Sequence, residues 1–260
     1  MNSQLIRIYA FAYRNYIFAV RNFFTFAEML FWPIIGILSI GLMGGFLSLT
    51  GNMKSFLLTG AIMAGVFQTS QLDVAYGFLY DVWSKSVKQT FIAPVRNIDY
   101  ILGSWIIGTL RGIITFFMLA GLAAIFFKFQ LPSTLALWIS LAGVYLTAMI
   151  SGMTVIFFIF MFGQRIDIIA WMLSALMMML CGIYYPVTYL PAFIGKIAQF
   201  IPLTYFLEYF RTGYGFTLNF SHPLIKGFGL SAIYIGILLL LIELAFLKAK
   251  KTGMLIRLSE

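Results

Sequence analysis

Six apolar runs constrain this chain more than any other feature: residues 26–49, 56–80, 101–127, 135–162, 166–185 and 224–247. Each is long enough to cross a bilayer, which takes about 20 residues of predominantly apolar helix. The connections between them leave no room for a separate soluble domain. Charged residues make up 10% of the chain and hydrophobic ones 62%, with a mean hydropathy of +0.98. Soluble domains carry about 25% charged residues, so a water-soluble fold is excluded. The expected architecture is an all-α membrane protein forming one transmembrane domain over residues 1–260, with six transmembrane helices.

The placement of lysine and arginine orients those helices. One side holds Arg7, Arg14, Arg21, Lys85, Lys88, Arg96, Arg165, Lys248, Lys250, Lys251 and Arg257; the other holds Lys54, Lys128, Lys196, Arg211 and Lys226. Eleven against five puts both termini in the cytoplasm of a multi-pass protein of the cell (plasma) membrane. The net charge of +9 therefore reflects topology, and nucleic acid is not an expected partner. The single cysteine, Cys181, excludes an internal disulfide or a cysteine-based zinc cluster. His222 has no metal-ligand partner at a recognised spacing, so no metal site is expected. No G-x-x-x-x-G-K-[ST] sequence occurs, so the chain has no P-loop for ATP. The N-terminal stretch lacks a short apolar core followed by a cleavage site, and no removable signal peptide is expected.

Residues 1–22 are too polar to span. Arg7, Arg14 and Arg21 are seven apart and share one face of a helix, with Leu5, Ile6, Tyr9, Phe11, Ile17, Phe18 and Val20 between them. That pattern predicts an amphipathic helix lying in the membrane interface, arginines toward anionic headgroups.

Two connections carry unusual sequence. In residues 81–100, a short helix over 84–93 would place Val87, Phe91 and Ile92 on one side and Lys85 and Lys88 on another, ending at Pro94. The alternative is an ordinary charged loop. In residues 181–211 (CGIYYPVTYLPAFIGKIAQFIPLTYFLEYFR), a membrane helix over 171–185 is expected to stop at Pro186. Two short amphipathic pieces follow, 190–200 and 203–214, divided at Pro202. Neither can cross a bilayer. Short apolar pieces between prolines suggest a re-entrant or interfacial helical hairpin over 186–214 before the last span, its backbone satisfied by protein or a wet cavity. Such a hairpin reads as a lid or gate on the outer side.

Gly182, Tyr185, Pro186, Leu190 and Pro191 spell G-x-x-Y-P-x-x-x-L-P, and Pro202, Leu203, Thr204, Tyr205, Glu208 and Arg211 spell P-L-T-Y-x-x-E-x-x-R. Together they resemble the C-terminal signature of ABC-2-type transporter permeases, the membrane subunits of bacterial ABC exporters. The resemblance implies an outer hairpin or gate containing Tyr185, Pro186, Pro191, Pro202, Tyr205, Glu208 and Arg211. It also implies that the 84–93 helix is a coupling helix docking into an ATPase, through Ser84, Lys85, Val87, Lys88, Phe91, Ile92 and Pro94. Lys85 and Lys88 depart from the family there, where acidic residues are more usual. By the family's pattern this chain is not an enzyme. ATP and magnesium belong to a separate ABC ATPase present in two copies, and a second permease copy, forming a homodimer, or else a homologue completes the pathway. The abundant Phe, Tyr and Met suggest an amphipathic or lipid-linked cargo, such as a drug, glycolipid or polysaccharide, with membrane lipid as the surrounding partner.

Within the runs, Arg111 costs roughly 2.5 kcal/mol or more at mid-membrane and needs a partner. Asp73 lies at a similar depth, about 10 to 15 Å inside at 1.5 Å per residue. The two are expected to pair, or to share a polar cluster with Gln68, Ser70 and Gln71. That cluster reads either as the lining of a translocation route or as a buried pair fixing helix packing. The same residues allow an alternative function, an ion-coupled secondary transporter or channel with Asp73 and Arg111 in its pathway, although the internal repeats typical of that class are not evident. Gly41 and Gly45, with Gly36 and Gly44 near them, fit close helix packing. Met172, Met177, Met178 and Met179 give the fifth run a soft surface suited to packing, a subunit interface or an apolar path. No acid–base pair, activated nucleophile or metal cluster supports catalysis.

Overall fold

The computed structural model describes residues 3–21, 23–131, 135–163 and 167–257, and all regular structure there is helical. In chain order the helices are α1 (Ser3–Arg21), α2 (Phe23–Phe46), α3 (Gly51–Trp83), α4 (Val87–Ile92), α5 (Asn97–Phe127) and α6 (Leu135–Phe162). They continue with α7 (Asp167–Leu180), α8 (Ala192–Ala198), α9 (Pro202–Arg211), α10 (Pro223–Lys251) and α11 (Met254–Arg257). Arg165 and Ile166, and the two ends of the 1–22 segment, lie outside the described residues. Three helices are clearly apolar and of membrane length: α5, α6 and α10, at 31, 28 and 29 residues.

The bundle is organised around α3, which packs against α2, α5, α6, α7 and α9. Its apolar residues surround the axis rather than forming one stripe, the pattern of a helix buried on all sides. Burial is nearly continuous from Leu58 to Val82 and includes Thr69, Ser70, Gln71 and Asp73. Small residues bring the neighbours close. A Cβ on Gly108 of α5 would stand 2.9 Å from the Ser70 carbonyl oxygen, and one on Gly103 would stand 2.6 Å from Phe11 of α1. Gly41 plays this part for α2, because a side chain there would strike the ring of Phe127. Gly45 faces open space, so the Gly41-x-x-x-Gly45 pair does not act as one packing motif.

By contrast, only 17% of the apolar core stretch of α10 is buried, and Ile225, Ile233, Ile237, Leu240 and Leu244 face outward. Outward apolar surface also covers α5 (Leu110, Ile114, Phe117, Ile125) and α2 (Phe31, Trp32, Leu42, Phe46). A patch of this extent needs a non-aqueous neighbour, here lipid or another membrane subunit.

Three expectations are corrected. The arginine face of α1 points into the protein: Arg7 and Arg14 bind carboxylates, whereas Leu5, Ile6, Tyr9, Tyr13, Tyr16 and Val20 are exposed. Charged partners at the ends of α3 and α5 outcompete headgroups for those two arginines. α1 also follows the first turns of α5, with Phe11 at Gly103 and Asn15 bonded to Ser104. Second, the fifth run is not stopped by Pro186. As described, α7 is 14 residues long and ends at Leu180, and Gly182 takes φ +71°, a left-handed conformation that glycine adopts at no steric cost. Third, the helix in the first connection is shorter than 84–93. Ser84–Ser86 form a turn with Lys85 at φ +57°, and α4 begins at Val87.

Candidate functional site

Residues of interest gather at three levels. At the end of the bundle that carries α1 and α4, Asp81 is the junction. Arg14 Nη1 donates to both Asp81 carboxylate oxygens at 2.8 Å, and Arg14 Nη2 donates to the Gly77 carbonyl at 3.0 Å. The Ser86 hydroxyl, one residue before α4, donates to the same carboxylate at 2.9 Å. One acidic side chain therefore ties α1, the end of α3 and the entry to α4 together. A second latch lies beside it. Arg7 Nε donates to Asp99 at 2.6 Å, and Asp99 also accepts the Arg96 backbone N–H at the start of α5.

Beyond that turn, α4 is two-faced. Val87 is fully buried. Phe91 sits between Phe246 (ring centroids 4.7 Å apart), Phe78 (6.2 Å) and Phe160 (6.3 Å), on α10, α3 and α6. Ile92 instead is 83% exposed, beside the exposed Trp83, Ser84, Lys85, Lys88 and Pro94. The expected apolar face of Val87, Phe91 and Ile92 is thus split. Its first two members anchor α4 to three long helices and the third points away from the bundle.

In the middle of the bundle, Arg111 and Asp73 form an ion pair with both side chains buried. Ser70 is on the same face of α3, its hydroxyl donating to the Gly108 carbonyl at 2.9 Å. Gln71 turns elsewhere and donates through Nε2 to the Ala170 carbonyl of α7 at 3.2 Å. Gln68, also on that side, borders a cavity of about 530 Å³ shared with Trp32, Pro33, Gly36, Trp171, Met178 and Tyr184. The expected single cluster is therefore two: Asp73 and Ser70 toward α5, Gln68 and Gln71 toward α2 and α7.

At the opposite end, the 181–211 stretch forms two short helices, α8 and α9, and α9 is no exposed flap. Its Phe206 fits where Gly143 of α6 and Gly227 of α10 leave room, and it meets Phe228 edge-on at 4.9 Å. Arg211 donates to the carbonyls of Gly182 (2.7 Å) and Ile183 (2.8 Å), and its guanidinium lies 3.5 Å from the centre of the Phe56 ring. Gly60 of α3 is bare at the Ile183 carbonyl, where any side chain would collide. Glu208 accepts the Asn219 backbone N–H and so holds the segment leading into α10. Burial pushes the Glu208 carboxyl above its ordinary range, against the opposing pull of the Asn219 N–H. Glu208 and Arg211 thus clamp two different segments. Tyrosines close the remaining backbone: Tyr205 to the Gln199 carbonyl (2.8 Å) and Tyr185 to the Met179 carbonyl (2.6 Å). Pro186 and Pro191 flank a 3₁₀ turn at Val187–Tyr189, and Pro202 starts α9, where a proline ring is compatible with the first helical turn. Cys181 is buried and free.

The sequence reading did not single out Asp81, Asp99, Phe56, Gly60 or Asn219. One signal was available for the first two: scarce carboxylates at the ends of two runs, on the side that holds the arginine-lined helix.

A family model described as ABC-2 type transporter matches residues 7–214, from the first arginine latch to the turn that follows α9. The chain belongs to that family. It is a membrane-embedded transport permease subunit, and ABC-2 permeases generally work with an ABC ATPase. It is similar to the inner membrane transport permease YadH of Escherichia coli strain K12, 25% identical over 211 residues that cover 81% of this chain and 79% of YadH. It also resembles an uncharacterized protein of Archaeoglobus fulgidus, 51% identical over 45 residues, 17% of this chain and 70% of that protein.

Proposed function

We propose that this ABC-2 permease is the membrane subunit of an ATP-driven exporter, paired with a second copy of itself and two copies of a separate ABC ATPase. In this reading α2, α3, α5, α6, α7 and α10 are the six spans, as parts of one domain, and both termini and α4 face the cytoplasm. The observation that carries it is the division of α4. Val87 and Phe91 bind it to α3, α6 and α10, while Ile92, Trp83, Lys85 and Lys88 face away from the bundle. A short helix built this way passes a push from below into three spans at once. The ATPase, which holds ATP and magnesium, supplies that push by closing its pair of subunits. The Asp81 junction makes α1 move with α4.

The α8–α9 hairpin, clamped by Arg211 and Glu208, then shapes the outer end of the route. An amphipathic or lipid-linked cargo suits an outlet flanked by exposed Tyr189, Phe193 and Phe200. The Asp73–Arg111 pair serves as a packing lock between α3 and α5, since each charge faces its opposite within the bundle. The test is co-purification of the chain with the ABC ATPase encoded beside it. Wild type and Phe193→Ser should both retain the ATPase, and Ile92→Asp should lose it. Equal retention by all three would remove α4 as the docking element.

A further inference from the structure

Three of the four arginines within α1 and α5 are matched one by one with carboxylates. Arg7 has Asp99, Arg14 has Asp81 and Arg111 has Asp73. Arg21, at the last residue of α1, is exposed and has no acidic partner among the side chains that are described. The residues just before it line a recess of about 490 Å³ between α1 and α5. Tyr16, Ala19 and Val20 form one wall, Ile107, Leu110, Ile113 and Ile114 the other, and Arg111 closes the base. Leu110 and Ile114 are also outward on α5, a helix of membrane length and apolarity. The recess therefore opens toward acyl chains rather than water. Exposed Tyr9, Tyr13 and Tyr16 along α1 mark a boundary between headgroups and hydrocarbon.

A cation at such a boundary is costly without a counter-ion, and a phosphate headgroup is the anion the surroundings hold. We infer that α1 and α5 form a binding site for an anionic phospholipid, its headgroup on Arg21 and one acyl chain in the Tyr16–Val20 and Ile107–Ile114 recess. A lipid bound there would brace the helix that the Asp81 and Asp99 latches connect to α4 and α5. This inference rests on α5 crossing the membrane and not on the exporter reading.

The experiment is native mass spectrometry of the full chain, released from detergent with equal amounts of dioleoylphosphatidylglycerol and dioleoylphosphatidylcholine. A single interfacial arginine favours an anionic headgroup by about fivefold. Wild type should retain phosphatidylglycerol over phosphatidylcholine by roughly that factor, and Arg21→Gln should bring the ratio near one. Ile114→Trp, on an exposed position, fills the recess and should reduce retention of both lipids. Lys250→Gln, an exposed cation elsewhere, should leave the ratio unchanged. An unchanged ratio in Arg21→Gln overturns the site, and so does an equal loss in Lys250→Gln, which would mark a general charge effect. Because no ATPase is present, failure of the exporter reading leaves this result interpretable.

Discussion

α4 and α9 are both short helices that stood out in the sequence, yet the bundle treats them in opposite ways. Nine of the ten residues of α9 are buried, against one of the six in α4. α9 fills a slot prepared by Gly143 and Gly227 and fixes chain segments on both sides of itself. α4 rests on the bundle by Val87 and Phe91, has α11 packed beside it, and leaves Lys88, Gln89 and Ile92 exposed. The lesson is that a dense motif can be scaffold, and a plain stretch with a few lysines can stay exposed on the surface. In α9 the signature residues are spent on backbone carbonyls and N–H groups of the segments around it.

Arg211→Ala should give the largest effect of any change in either helix. It strands two buried carbonyls and removes a cation over Phe56, together worth about 3 kcal/mol or more. Loss of monodisperse protein in size-exclusion chromatography would show it. Phe91→Asp strikes the inner face of α4 and should cost about 2 kcal/mol, since it pushes a carboxylate among three phenylalanines. It should lower the unfolding midpoint before it affects docking, and so blur the contrast between the two helices.

Asp81→Asn should cost about 1 to 2 kcal/mol by weakening a charge-assisted contact to Arg14. Faster hydrogen exchange confined to α1 and the 84–86 turn would check it. Glu208 provides a pH-dependent test. Its carboxyl is raised in the folded state, so its contribution is greatest below the ordinary carboxylate value and is lost as pH rises through the raised value. Hydrogen exchange in the α8–α9 segment, divided by the intrinsic rate at each pH, should therefore quicken across that window in wild type and stay level in Glu208→Gln. Ile92→Asp, on a side chain that touches little, should change stability by less than about 0.5 kcal/mol and act only on partner binding.

Much of this was readable in advance, for reasons of local chemistry. α5, α6 and α10 follow from long apolar runs, and the Arg111–Asp73 pair follows from matching depths in two adjacent runs. What failed depended on contacts far apart in sequence. Pro186 was a plausible stop for α7, but the turn occurs at Gly182, where Arg211 reaches back 29 residues to hold its carbonyl. The arginine spacing of α1 puts Arg7 and Arg14 on a common side, and it was assigned to headgroups because Asp81 and Asp99 lie 67 and 92 residues from their partners. The split of α4 could not be read from periodicity, since it depends on Phe78, Phe160 and Phe246 converging from three helices.

The most direct test of the coupling role is ATP hydrolysis by the partner ATPase, measured with wild-type permease and with Ile92→Asp at matched folded concentrations. The account predicts that wild type stimulates hydrolysis and that Ile92→Asp, eluting and melting like wild type, does not. Full stimulation by a folded Ile92→Asp permease would contradict it and move the docking surface away from α4.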